Sequence, residues 1–83
     1  MQDYLKFLKK LPKELRLRVI EAIDQIALGE VANLDVKRLS AEYEVYRCRV
    51  DKIRILFQKR GDGNYVLDIG FRGDVYKKLK NLG

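Results

Sequence analysis

Between Tyr46 and Phe57 the chain alternates apolar and polar residues in two runs, Tyr-Arg-Cys-Arg-Val and Ile-Arg-Ile-Leu-Phe, separated only by Asp51 and Lys52. Period-two alternation predicts strands with one buried face, and a two-residue connection predicts a hairpin. With Asp51-Lys52 as the turn, Val50 opposes Ile53, Cys48 opposes Ile55 and Tyr46 opposes Phe57. The pattern resumes after Gly61, so antiparallel strands are expected at about Tyr43 to Val50, Ile53 to Arg60 and Asn64 to Phe71. A two-residue loop at Asp62 and Gly63 would set Phe57 against Asp68 and mix the faces. A three-residue loop, Gly61-Asp62-Gly63, pairs Phe57 with Leu67, Ile55 with Ile69 and Ile53 with Phe71. Gly63 can supply the left-handed residue such a loop requires. The expected apolar face is Tyr46, Cys48, Val50, Ile53, Ile55, Phe57, Leu67, Ile69 and Phe71.

Before the strands the period changes to that of a helix. Tyr4, Phe7, Leu8 and Leu11 recur within Asp3 to Leu11, and Pro12 ends that segment because the residue before a proline is pushed out of the helical region. Pro12 suits the first turn of a second helix. There Leu15, Val19, Ala22, Ile23 and Ile26 form one stripe until Leu28 and Gly29 stop it. The two helices are expected to form an antiparallel hairpin covering the sheet. Lys6, Lys9, Lys10, Lys13, Arg16 and Arg18 line its outer side, as on any solvated helix face. Glu30 to Glu42 shows no clear period and reads as a connector, with Val36 and Leu39 able to tuck under the sheet. Asp74 is a good cap for a last short helix carrying Val75, Leu79 and Leu82 inward. The expected fold is thus α+β, an N-terminal helix hairpin on a three-stranded antiparallel sheet plus a short C-terminal helix. The whole chain, 1–83, makes one domain.

Composition narrows the chemistry. Eighteen Lys and Arg against 12 Asp and Glu leave a net charge of +6 on 83 residues, which favours a polyanionic partner such as nucleic acid or an acidic protein. There is no histidine and only one cysteine, so a zinc site, a Ser-His-Asp triad and a histidine-based nuclease are excluded. No metal or other cofactor is expected. Cys48 falls on the inward face as a small apolar filler. No apolar run approaches the roughly 18 residues of a membrane span, and no signal peptide opens the chain, so a cytoplasmic protein without a membrane partner is expected.

The polar face of the hairpin holds the candidate site. Its register sets Arg49 directly across from Arg54, with Arg47 two residues along, and like charges opposed across a sheet destabilise it. An anion over this face would relieve the repulsion. Gln58, Asp68, Gly70 and Arg72 share the face, and Gly70 opposite Arg54 is expected to leave its middle open to a bulky ligand. Guanidinium groups stay charged and bind phosphate oxygens in a fork. Tyr76, close to Arg72, offers a stacking surface for a base. Such a set can align a ribose 2'-OH with the adjacent phosphorus and neutralise the charge that develops there. A basic sheet face equally describes a non-catalytic RNA binder or a dock for an acidic peptide.

Taken in order, Leu-Pro-Lys-Glu-Leu-Arg from Leu11, the hairpin motifs, and Ile-Gly-Phe-Arg-Gly-Asp-Val-Tyr-Lys from Ile69 resemble the RelE/ParE superfamily of type II toxin-antitoxin toxins. The similarity runs through nearly the whole chain. It implies a small toxin neutralised by a cognate antitoxin, with an acidic antitoxin segment expected over the basic face. RelE-like members cut mRNA in the ribosomal A site, leaving a 2',3'-cyclic phosphate, whereas ParE-like members poison DNA gyrase.

The resemblance assigns roles residue by residue. It places Arg54 on the transition-state phosphate, Arg72 at the leaving oxygen and Tyr76 against the nucleotide. Arg47, Arg49 and Lys77 join Arg54 in binding RNA. Arg49 stands where the family is thought to carry a lysine base, and arginine does not give up its proton. The family's usual first strand also has no room in Met1 to Asp3. The expected activity is a metal-independent, ribosome-dependent mRNA endonuclease; the alternatives are a gyrase inhibitor and a catalytically inactive antitoxin-binding module.

Overall fold

The computed structural model describes residues 4–71, folded as two helices, α1 (Tyr4–Lys9) and α2 (Lys13–Leu28), followed by four strands, β1 (Asp35–Ser40), β2 (Val45–Val50), β3 (Ile53–Arg60) and β4 (Gly63–Phe71). The strands form one antiparallel sheet in the order β1-β2-β3-β4. Met1 to Asp3, too short for the family's usual first strand, and the expected C-terminal helix with Arg72, Tyr76 and Lys77 lie outside the described residues.

α1 ends where Lys10 and Leu11 turn their N–H groups to the carbonyls of Phe7 and Leu8, tightening the last turn ahead of Pro12. Pro12 is extended (φ −55°, ψ 149°), one position earlier than expected, flanking α2 rather than lying in its first turn, while its carbonyl accepts from the Arg16 N–H at 2.8 Å. α2 buries Leu15, Val19, Ala22 and Ile26 on one stripe. It ends as the sequence predicts, with Gly29 left-handed at φ 78°. The Gly29 N–H donates to Ile26 O and the Glu30 N–H to Gln25 O, the two bonds of a Schellman cap. Asn64 of β4 adds its side-chain amide to the same end, donating to Ile26 O at 3.0 Å. α1 packs on β4, and α2 on β4, β2 and β3.

The core lies between the helices and one sheet face, where Cys48, Val50, Ile53, Ile55, Phe57 and Ile69 meet Leu8, Leu11, Leu15, Val19, Ala22 and Ile26. The β2–β3 register is the expected one at every rung from Tyr46–Phe57 to Val50–Ile53. Asp51 takes φ 55° in the turn, a conformation Asp tolerates better than most residues with a side chain. Tyr46 and Phe57 stack across this ladder with ring centroids 5.4 Å apart.

Two expectations about the strands are corrected. The connector contains a strand, so the sheet has four strands and not three. β1 pairs with β2 from Asp35–Arg49 to Arg38–Tyr46, and the register then shifts before Ser40–Val45. Only Val36 marks the buried side before that irregularity, which leaves too little alternation to detect. The second hairpin also closes differently. Arg60 pairs with Gly63 around a tight turn at Gly61-Asp62, and Phe57 pairs with Val66 rather than Leu67. A bulge follows, which returns Ile55–Ile69 and Ile53–Phe71 to the expected register. Without the extra residue at Leu67, Asp68 would oppose Ile55 on the core face, so the bulge does what the longer loop was invoked to do.

Candidate functional site

The second sheet face carries Asp35 and Lys37 on β1, Val45, Arg47 and Arg49 on β2, Arg54, Leu56 and Gln58 on β3, and Asp68 and Gly70 on β4. The register brings Arg47, Arg49 and Arg54 together as expected, with Arg49 opposite Arg54 and Arg54 opposite Gly70. The middle of the face is not open, however. Val45, Leu56, Arg54, Asp68 and Gly70 are all buried, and Ile53 through Phe57 is buried at every position. A strand buried on both sides reads as a near-continuous apolar run, and Ile-Leu-Phe at its centre was that signal.

Arg54 therefore lies in a covered position, 8% exposed, where its Nη1 donates to Asp51 O at 2.9 Å and Ile53 O at 3.1 Å. It ties down the carbonyls of the turn it follows. Arg49 turns the other way: its Nε sits 2.8 Å from Asp35 Oδ2, and its side chain is 54% exposed. Arg47 Nη1 donates to the other oxygen of the same carboxylate, at 3.2 Å, and to the Asp35 carbonyl at 3.1 Å. The repulsion between Arg49 and Arg54 is thus relieved within the chain, one guanidinium taking backbone carbonyls and the other a carboxylate. The Arg47 hydrogen bond, with the charge of Arg49, holds the Asp35 carboxyl below its ordinary range although burial opposes this.

The solvent-facing part of the site is consequently Lys37, Arg49 and Asp35, with the largely covered Arg47 side chain, 16% exposed, beneath them. Lys37 pairs directly with Arg47, a second like-charge rung that sequence reasoning missed along with Asp35. Beside it a cleft of about 380 Å³ runs between α2 and the start of β1, its polar and charged walls being Arg18, Glu21, Gln25 and Asn33 together with Asp35 and Arg49. That volume suits a nucleotide-sized ligand. Burial pushes the Cys48 thiol up to about 11, so it is a protonated core group and no nucleophile at neutral pH. No helix among the described residues is long and apolar enough to cross a membrane.

Among solved structures, the chain matches the crystal structure of the RelB-RelE antitoxin-toxin complex from Methanococcus jannaschii with a TM-score of 0.70 and 25% identity, over 90% of this chain and 91% of that one. No protein-family model and no curated protein matches it.

Proposed function

We propose, from the premise that this chain belongs to the RelE/ParE-like toxin-antitoxin superfamily, that it is the toxin of such a pair and a metal-independent, ribosome-dependent mRNA endonuclease. The solved relative is a toxin held by its antitoxin, which supports the toxin role and an antitoxin partner for this chain. The observation that carries the finer reading is the grouping of Arg47, Arg49 and Arg54 on one sheet face with Lys37 beside them, next to a cleft of nucleotide size.

In this reading Arg47, Arg49 and Lys77 hold the RNA backbone. Arg54, on leaving the Asp51 and Ile53 carbonyls, neutralises the phosphate during attack by the 2'-OH, Arg72 acts at the leaving oxygen and Tyr76 stacks on the nucleotide. None of these arginines is a general base, so rate comes from positioning and charge neutralisation, with proton removal by Tyr76 or a ribosomal group. In the resting complex an acidic antitoxin segment covers Lys37, Arg47 and Arg49. That association should weaken as salt rises.

The deciding experiment is to produce the protein without its antitoxin in the cytoplasm of a bacterial expression host and to map transcripts by primer extension. Cleaved messages with 2',3'-cyclic phosphate ends are expected. Growth arrest with intact messages and failing DNA supercoiling would move the activity to gyrase. Tight binding of an antitoxin with no toxicity would make the chain an inactive binding module.

A further inference from the structure

The carboxylate of Asp35 has no place in the roles carried over from the resemblance, yet it is the centre of the exposed half of the site. One oxygen receives Arg47 Nη1 and the other Arg49 Nε, so a single side chain spans two neighbouring guanidinium groups of the same strand. It comes from β1, directly opposite Arg49 on the ladder, and the backbone carbonyl of the same residue takes a further bond from Arg47. These contacts use one nitrogen of each guanidinium, Arg47 Nη1 making two of them. Among the described residues Nη1 and Nη2 of Arg49, and Nε and Nη2 of Arg47, make no hydrogen bond; the Arg49 side chain is 54% exposed and that of Arg47 16%. Two long cationic side chains that would otherwise sample many rotamers, and repel each other, are held side by side with donors to spare.

We propose that Asp35 is a positioning residue, a carboxylate splint that fixes Arg47 and Arg49 at one spacing so that their remaining N–H groups grip a single RNA phosphodiester together. The proposal rests on the nuclease reading above and adds to it the reason why a negative charge belongs in an anion site. Arginine has five donors in a fixed fork, so a carboxylate on one edge leaves another edge for phosphate. A lysine in either position would have to share a single ammonium group between the two anions.

The sign of the effect separates this role from simple charge. Asp35→Asn makes the face more positive, so binding of a non-cleavable 2'-O-methyl RNA oligonucleotide should hold or tighten. Cleavage of ribosome-bound message by the same variant should nevertheless fall about tenfold in kcat, because orientation is lost while attraction is not. Asp35→Glu, which restores a carboxylate on a longer arm, should recover part of the rate. A variant as fast as the parent, or faster, overturns the proposal; the faster case would make Asp35 a mask over the arginines. Loss of β1, seen in its backbone amide signals, would explain a slow variant without any splint, and failure of Asp35→Glu to recover the rate with β1 intact also counts against the idea.

A readout independent of RNA keeps the two readings apart. In the parent protein the Nε–Hε resonance of Arg49 should be shifted away from that of exposed arginines and should return to it in Asp35→Asn. If the parent cuts no RNA but shows this signature, the nuclease reading fails while the splint stands. If the Arg49 signal is already that of a freely moving side chain, the splint is absent whatever the protein cleaves.

Discussion

Arg49 and Arg54 stand opposite each other on one rung of the β2–β3 ladder and live in different surroundings. Arg54 is covered and spends its charge on two backbone carbonyls, whereas Arg49 is half exposed and meets a carboxylate across the next strand. The contrast is weaker two residues along, between Leu56, fully buried, and Arg47, whose side chain is 16% exposed. β3 is interior to the second face as well as the first, while Asp35 and Lys37 of β1 and Arg49 at the end of β2 meet solvent. The difference teaches that one basic face contains two kinds of arginine. Arg54 holds the fold at the turn, and Arg49 is open to solvent.

The largest effect should come from the covered side. Leu56→Ala removes a side chain that is 2% exposed, and should cost about 2–4 kcal/mol in urea unfolding. Arg47→Ala, on the same rung, removes two hydrogen bonds to Asp35 and should cost about 1–2 kcal/mol, less than Leu56→Ala. Equal losses at the two positions would erase the distinction between the halves of the face.

Arg54→Ala should follow at about 2 kcal/mol, since it removes a charged donor and leaves the Asp51 and Ile53 carbonyls without it. From the sequence alone, with Arg54 pointing into solvent, the same change is expected to leave the fold intact and even to relieve repulsion. Burial reverses that sign. Arg49→Ala should stay within about 0.5 kcal/mol. Toxicity assays on Arg54→Ala therefore need a stability measurement beside them.

Binding should rank the two arginines the other way. Arg49→Ala should lower the slope of log affinity against log salt for single-stranded RNA by about 0.7, the value of one phosphate contact. A matching loss in Arg54→Ala would show that Arg54 leaves its carbonyls to meet the ligand, which sharpens its proposed part in the chemistry.

The smallest effect is on acid stability. The Asp35 carboxyl lies below its ordinary value through its bond to Arg47, so its stabilisation is fully present above the unfolded value of 3.8 and fades as pH falls through the lower folded one. Unfolding measured from pH 5 downward should therefore show Asp35→Asn losing its small difference from the parent only at the acid end. A difference that vanishes already above pH 5 would mean that the ion pairs do not form in solution.

What the sequence determined by itself is what short-range physics controls. Period-two alternation with a two-residue turn left one register for Tyr46 to Phe57, and therefore which side of the sheet Arg47, Arg49 and Arg54 occupy. Helical spacing and Gly29 likewise marked the buried stripe and the end of α2. The tertiary structure decided what depends on partners distant in the chain. β1 carries one apolar residue on its buried side before its register shifts, so only pairing with β2 makes it a strand and brings Asp35 to Arg49. The bulge at Leu67 answers to the core, since the turn at Gly61-Asp62 alone would send Asp68 inward. Whether an arginine is a hidden clamp or an exposed hand for phosphate is set by what lies over it and beside it, and alternation along its own strand carries no information about that.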